Sequence, residues 1–360
     1  MESVLIATKL QTLVEVEGGS YHAWASSDYP ILAEAKIGGG ILNLKPFGFA
    51  LPHYADCAKV GYVTQGSGKV GMISPGAVEA AEEKVLRLKK GDLIPVQLGA
   101  TSWWFNDGTT NFSVVFLGDT SKAYRPGNIT YFLLAGPMSM QNGLSDGFNR
   151  ISLGLSERDT TRVLRSQTAG LITTLSEQQK LPEPSRDGIQ HLVYNMESAS
   201  PSSSVRDAGR LVTVTSDELG VLKEVGLSGA VIKVLKNVMC TPQFSTDAAY
   251  QVNHILRGSG RVQVVGLRGE KVLDEILKQG DLFIAPKFFA ISVVAGGEGM
   301  DWFCMFTMHR PAFSFLAGRA SVLKAMSPLV VQAALNISPT LEERLREKMN
   351  VNDIFIRVPK

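Results

Sequence analysis

The chain has 360 residues, too many for one ordinary hydrophobic core, so two domains are expected. Its 36 basic and 34 acidic residues are interspersed, leaving a formal charge of +2 with no basic stripe, which argues against nucleic acid and anionic membrane as partners. Hydrophobic residues make up 44% of the chain, and 35 glycines among short apolar runs point to β structure rich in tight turns.

The opening stretch, MESVLIATKLQTLVEVEGG, has an acid at Glu2 and no sustained apolar block before a cleavage site, so no secretory signal is expected. No later run reaches the ~18 apolar residues of a membrane span. The segments Val60–Thr64, Val114–Leu117, Gln251–Leu256, Val262–Val265 and Phe303–Thr307 are rich in β-branched and aromatic residues and read as strands. Helix signals follow each run of strands. Ser156 with Glu157 and Asp159 caps one helix, and Ser327-Pro328 and Ser338-Pro339 place proline at the first helical position of two more. Between them, LPEPSR (Leu181–Arg186) and SASPSSS (Ser198–Ser204) read as linker or loop, giving an N-terminal domain over 1–180 and a C-terminal one over 187–360. The three cysteines, Cys57, Cys240 and Cys304, form no CxxC or Cys/His spacing and read as reduced thiols of a cytoplasmic protein.

An internal repeat ties these segments together. Gly66-Ser67-Gly68-Lys69-Val70 recurs as Gly258-Ser259-Gly260-Arg261-Val262, Glu83-Lys84-Val85-Leu86 as Glu270-Lys271-Val272-Leu273, and Gly91-Asp92-Leu93 as Gly280-Asp281-Leu282. The FLLAG of Phe132–Gly136 is echoed by the FLAG of Phe315–Gly318. The order is kept while the offset drifts between about 180 and 192 residues, as in a duplicated domain with altered loops. Each copy is a run of strands followed by helices, so the fold class is mainly β: two sandwiches or barrels with helical extensions. The GSG of each copy, taken as a hairpin, opens no helix and is not a nucleotide-binding loop.

These motifs, with LPHYAD, KKGDLIPVQLGATSWWFNDG and the GDLFIAPKFF segment, resemble the plant 11S globulins of the legumin or glutelin type from about Gly18 to about Phe355. That resemblance implies two cupin jelly-roll barrels (a bicupin) with terminal helices used in trimer assembly. A homo-oligomer is therefore expected, trimeric or else dimeric. The chain is similar to shorter legumin-like members without a signal peptide. Where storage legumins have an Asn-Gly processing bond and a cysteine joining the halves, it has Asp187-Gly188-Ile189 and no nearby cysteine.

Metal-binding cupins use two histidines in HxH, a glutamate on the next strand and a third histidine further on. Here His53 occupies the first position, but Ala55, Lys59 and Ser102 take the others. The second copy has Gln243, Gln251 and Ile291 at corresponding places. One imidazole does not hold a transition metal against water, so no metal and no other cofactor are expected. Strand alternation then places His53, Lys59, Ser102 and Trp104 in the first cup, and Gln251 and Asn253 beside Ile255 and Ile291 in the second. His254 falls on the opposite face, where it can serve a binding site at an interface.

Three functions are compatible with this pattern. The first is a metal-independent protein binding a small, partly apolar plant metabolite. The second is a metal-independent isomerase or cyclase using His53 and Lys59 as an acid-base pair. The third is a storage-like reservoir. The absence of long Gln or Arg tracts counts against the third.

Overall fold

The computed structural model describes residues 5–76, 82–184, 191–351 and 354–358. Alternating and fully apolar strands dominate, and the chain separates into two compact units. The units are not made by a single cut. One comprises Lys9–Ser198 with Leu219–Val225; the other comprises Met1–Thr8, Ala199–Glu218 and Gly226–Lys360. The sequence boundary at residue 187 lies outside the described residues.

The N-terminal unit has two layers. A seven-stranded antiparallel sheet contains Ala58–Gln65 and Asp92–Val96, with Phe112–Asp119 and Ile37–Leu44 beyond them; a six-stranded sheet contains Gly48–Ala55, Thr101–Phe105 and Ser67–Ile73. Residues from both layers, including Val63, Val70, Leu86, Ile94, Trp104, Phe112 and Phe116, form its core. The layers face each other as a jelly roll does, closing their apolar sides together.

The C-terminal unit forms one eleven-stranded sheet, because two long strands, Gln251–Val265 and Ala290–Phe306, bend through both layers. Val252, Val262, Val264, Phe283, Val293 and Phe303 are among its buried residues. Residues 5–8 join this unit: Ile6–Ala7 pairs antiparallel with Leu282–Ala285, and Ile284 N donates to Leu5 O at 2.9 Å. In the N-terminal unit the corresponding edge pairing is Tyr194–Asn195 on Asp92–Val96.

The repeated motifs have local physical causes. Asp92 Oδ2 accepts from Lys89 N at 2.7 Å and Asp281 Oδ2 from Lys278 N at 2.8 Å, so each Gly-Asp pair closes a tight turn with an aspartate bond. The glycine-serine-glycine reading as a hairpin is corrected. Gly66, at φ 71°, passes the chain from Ala58–Gln65 in one sheet to Ser67–Ile73 in the other, and Gly258, at φ 73°, lies inside a single continuous strand. A Cβ on either would lie within 2.2 Å of a neighbouring carbonyl oxygen, so this sheet-switching bend needs glycine twice.

Helices follow each barrel. Ser156 Oγ accepts from Asp159 N at 3.2 Å to cap Glu157–Arg165, and Ser338 Oγ from Leu341 N at 3.3 Å to cap Pro339–Val351. Ser327 stands before Pro328–Leu335 without a side-chain cap bond, leaving proline as that helix's start signal.

Candidate functional site

In the N-terminal barrel the expected residues do come together. Ser102 lies opposite His53 across the ladder between Thr101–Phe105 and Gly48–Ala55, and a bulge follows before Trp104 pairs with Ala50. His53, Lys59 and Trp104 surround a residual space with Tyr21, Phe116 and Tyr131. Ser102 is buried but does not line this space; its Oγ accepts from Trp104 Nε1 at 3.2 Å and fixes the indole.

His53 Nδ1 donates to the Leu51 carbonyl at 2.7 Å, which selects the neutral tautomer. Burial, with the nearby Lys59 charge, pushes its pKa down to about 3. Burial also lowers Lys59 to about 8, and its Nζ sits 4.4 Å from the Tyr131 ring centroid and 4.9 Å from that of Phe116. Tyr131 stands edge-on to His53 at 5.1 Å and shares a 2.7 Å hydroxyl hydrogen bond with Tyr21. The space left among these groups is about 10 Å³. That is room for one water at most, so no organic substrate fits beside His53 and Lys59.

The C-terminal barrel differs. Gln251 and Asn253 from Gln251–Val265, Ile291 and Val293 from Ala290–Phe306, and Gln243 from Val238–Ser245 line a cavity of about 260 Å³. Trp302, Phe306, Phe313, Phe315 and Phe355 supply aromatic walls. Three of the polar side chains along it are already engaged: Thr241 Oγ1 donates to Ile354 O at 3.0 Å, Ser292 Oγ to Cys240 O at 2.7 Å, and Asn253 Nδ2 to Gln251 O at 3.1 Å. Burial raises the Cys240 and Cys304 thiols well above their usual range, keeping them protonated. His254, expected as a ligand contact, is buried but absent from the residues lining this cavity. Burial lowers its pKa to about 4, against a backbone hydrogen bond with Asp281.

Position by position, the strand registers explain the contrast. Gly61 pairs with Phe116 in the first barrel and Asn253 with Cys304 in the second, so Cys304 replaces a phenyl ring. Trp104 opposite Ala50 becomes Val293 opposite Cys240, and Tyr21 opposite Leu42 becomes Leu211 opposite Ile232. Trp302 in place of Val114 returns part of the lost volume. Sequence inspection missed the filling roles of Tyr21, Phe116 and Tyr131. Phe116 was within reach, since alternation from Val114 turns it to the same face.

Among the described residues neither barrel fits a transition-metal ion: the first offers one imidazole beside an ammonium and aromatic rings, the second three amides, hydroxyls and protonated thiols. Among the described residues no three His, Cys, Asp or Glu side chains converge on one point.

Two jelly rolls in tandem, each carrying the same turn motifs, define a duplicated barrel protein. The family model described as Cupin matches residues 6–160 and again 194–343. The 11S globulin seed storage protein 2 of Sesamum indicum is 25% identical, with 94% of this chain and 86% of that protein covered. The crystal structure of the coconut allergen cocosin superposes with a TM-score of 0.88 at 23% identity, covering 99% of each chain. A solved 11S globulin from Wrightia tinctoria gives 0.85 at 21% identity, covering 97% of this chain and 96% of the other. The chain belongs to the cupin family, as a legumin-like bicupin of the 11S-globulin kind.

Proposed function

We propose that this legumin-like bicupin holds a small, partly apolar organic molecule in its C-terminal barrel, while its N-terminal barrel serves as a solid structural half. The observation that carries this reading is the cavity of about 260 Å³ walled by aromatic rings. A cavity of roughly 150 Å³ is enough for benzene, so the space suits a molecule of one or two rings. The globulin from Wrightia tinctoria, whose solved structure is described as revealing an auxin binding site, supports the idea that such a scaffold hosts small organic molecules.

Native mass spectrometry of the purified protein, followed by extraction of bound organics, tests it. The expected result is equimolar ligand or ready uptake of a naphthalene-sized probe, lost when Cys304→Phe restores the ring that Phe116 supplies in the first barrel. A protein that takes up no probe at any concentration overturns the reading. The same spectra report assembly. Exposed Phe148 and Ile151 on Asp146–Leu153, and Leu329 and Val330 on Pro328–Leu335, favour a homo-oligomer built through the helical extensions.

A storage role is the second reading, favoured by relatives that are seed storage proteins, such as that of Sesamum indicum. It predicts accumulation during seed filling and loss on germination; constant low abundance across tissues removes it. The two roles are compatible. The isomerase reading receives no support from the geometry around His53 and Lys59, which leaves no space for substrate.

A further inference from the structure

We infer that Gln251 is the specificity-determining residue of the C-terminal cavity, donating a hydrogen bond to a carbonyl or ether oxygen of an uncharged, aromatic ligand. The inference rests on the proposed ligand-binding role of that barrel and names the chemical class it admits. Gln251 lines the cavity and is 2% exposed, yet its Nε2 has no hydrogen-bond partner. A buried amide donor left unpaired is costly, and native folds leave few of them. The donors of Thr241, Ser292 and Asn253 bond backbone carbonyls, and Gln243 and Thr213, which also line the cavity, are only half-buried, so Gln251 is the fully buried donor there that lacks a partner and is placed to recognise a ligand acceptor.

Charge selects further. Among the described residues none that lines the cavity is acidic, basic or a histidine. A carboxylate entering this space would lose its hydration with no cation to replace it, which excludes anionic ligands in favour of neutral ones. The flat walls of Trp302, Phe306 and Phe313 suit a planar ring, and edge or offset contacts with them add to the burial. The ligand class is therefore a neutral one- or two-ring compound with an acceptor oxygen on its rim.

Three probes of matched size separate these statements: methyl naphthyl ketone, isopropylnaphthalene and naphthoate, substituted at the same ring position. Titration of the full chain at pH 8, followed by calorimetry or probe fluorescence, is expected to show the ketone binding about tenfold tighter than the hydrocarbon, with naphthoate weakest. In Gln251→Met, which keeps length but removes the donor, the two neutral probes should bind within about twofold of each other. If the ketone and hydrocarbon bind alike in the unaltered chain, or the preference survives in Gln251→Met, the role of Gln251 is overturned while the cavity remains a binding site. The unaltered chain's own ratio decides the matter even if that variant fails to fold. If naphthoate binds best, the neutral class is wrong. Uptake of none of the three overturns the ligand-binding reading itself, and this inference with it.

Discussion

The two barrels share turns, registers and sheet order, yet one is filled by its own side chains and the other is hollow. About 10 Å³ remains around His53 and Lys59, against about 260 Å³ beside Gln251 and Asn253. The difference comes from a few paired substitutions, Phe116 against Cys304 and Trp104 against Val293, which leave the backbone hydrogen bonding intact. A duplicated β fold thus tolerates divergent interiors because the apolar alternation and the turns that set its register are kept while the size of single inner side chains changes.

The largest expected effect breaks the comparison by volume. Phe116→Ala should cost about 3–5 kcal/mol, since it opens a void in a packed interior. Phe306→Ala, whose ring already borders empty space, should cost about 2 kcal/mol or less. Urea unfolding of both variants checks this, and equal losses would mean that the second barrel is as tightly packed as the first.

A smaller effect concerns the charge peculiar to the N-terminal barrel. Because burial depresses Lys59 to about 8, the unfolded chain binds the extra proton between pH 8 and its ordinary value near 10.5. Stability should therefore rise with pH across that window, and at neutral pH the folded state bears the cost of a buried ammonium. Lys59→Met is expected to stabilise the protein by about 1–3 kcal/mol at pH 7, with the gain shrinking toward pH 10.5. Thermal melts over this range test it. A destabilised variant would show that the Tyr131 and Phe116 ring faces more than offset the desolvation. The smallest expected effect is that of Ser102→Ala, about 1 kcal/mol, because Trp104 Nε1 loses its acceptor.

Much of this arrangement was legible in the chain. The four duplicated motifs revealed two copies because each performs a backbone task, such as the aspartate-closed turns at Asp92 and Asp281. Strand alternation placed His53, Lys59 and Trp104 in one cup and Gln251 and Asn253 in the other, and turned His254 outward. Alternation gives direction but no volume, so the fullness of the first cup stayed hidden. It is the sum of rings brought from Tyr21, Phe116 and Tyr131, which are distant in sequence. The Gly-Ser-Gly bend was misread as a hairpin because a sheet-switching strand and a tight turn make the same demand for a positive φ. The unit boundaries were equally hidden, since pairing of Ile6–Ala7 at the far end of the sequence carries no local signature.

That edge pairing has a consequence for how the protein is made and dissected. The border strand Ile6–Ala7 of the second barrel is synthesised before the whole first barrel, long before the neighbour it must join at Leu282–Ala285. A fragment beginning at Ala199 would leave this margin of the sheet bare and prone to pairing with other chains, unless a separate peptide carrying Ile6–Ala7 were added.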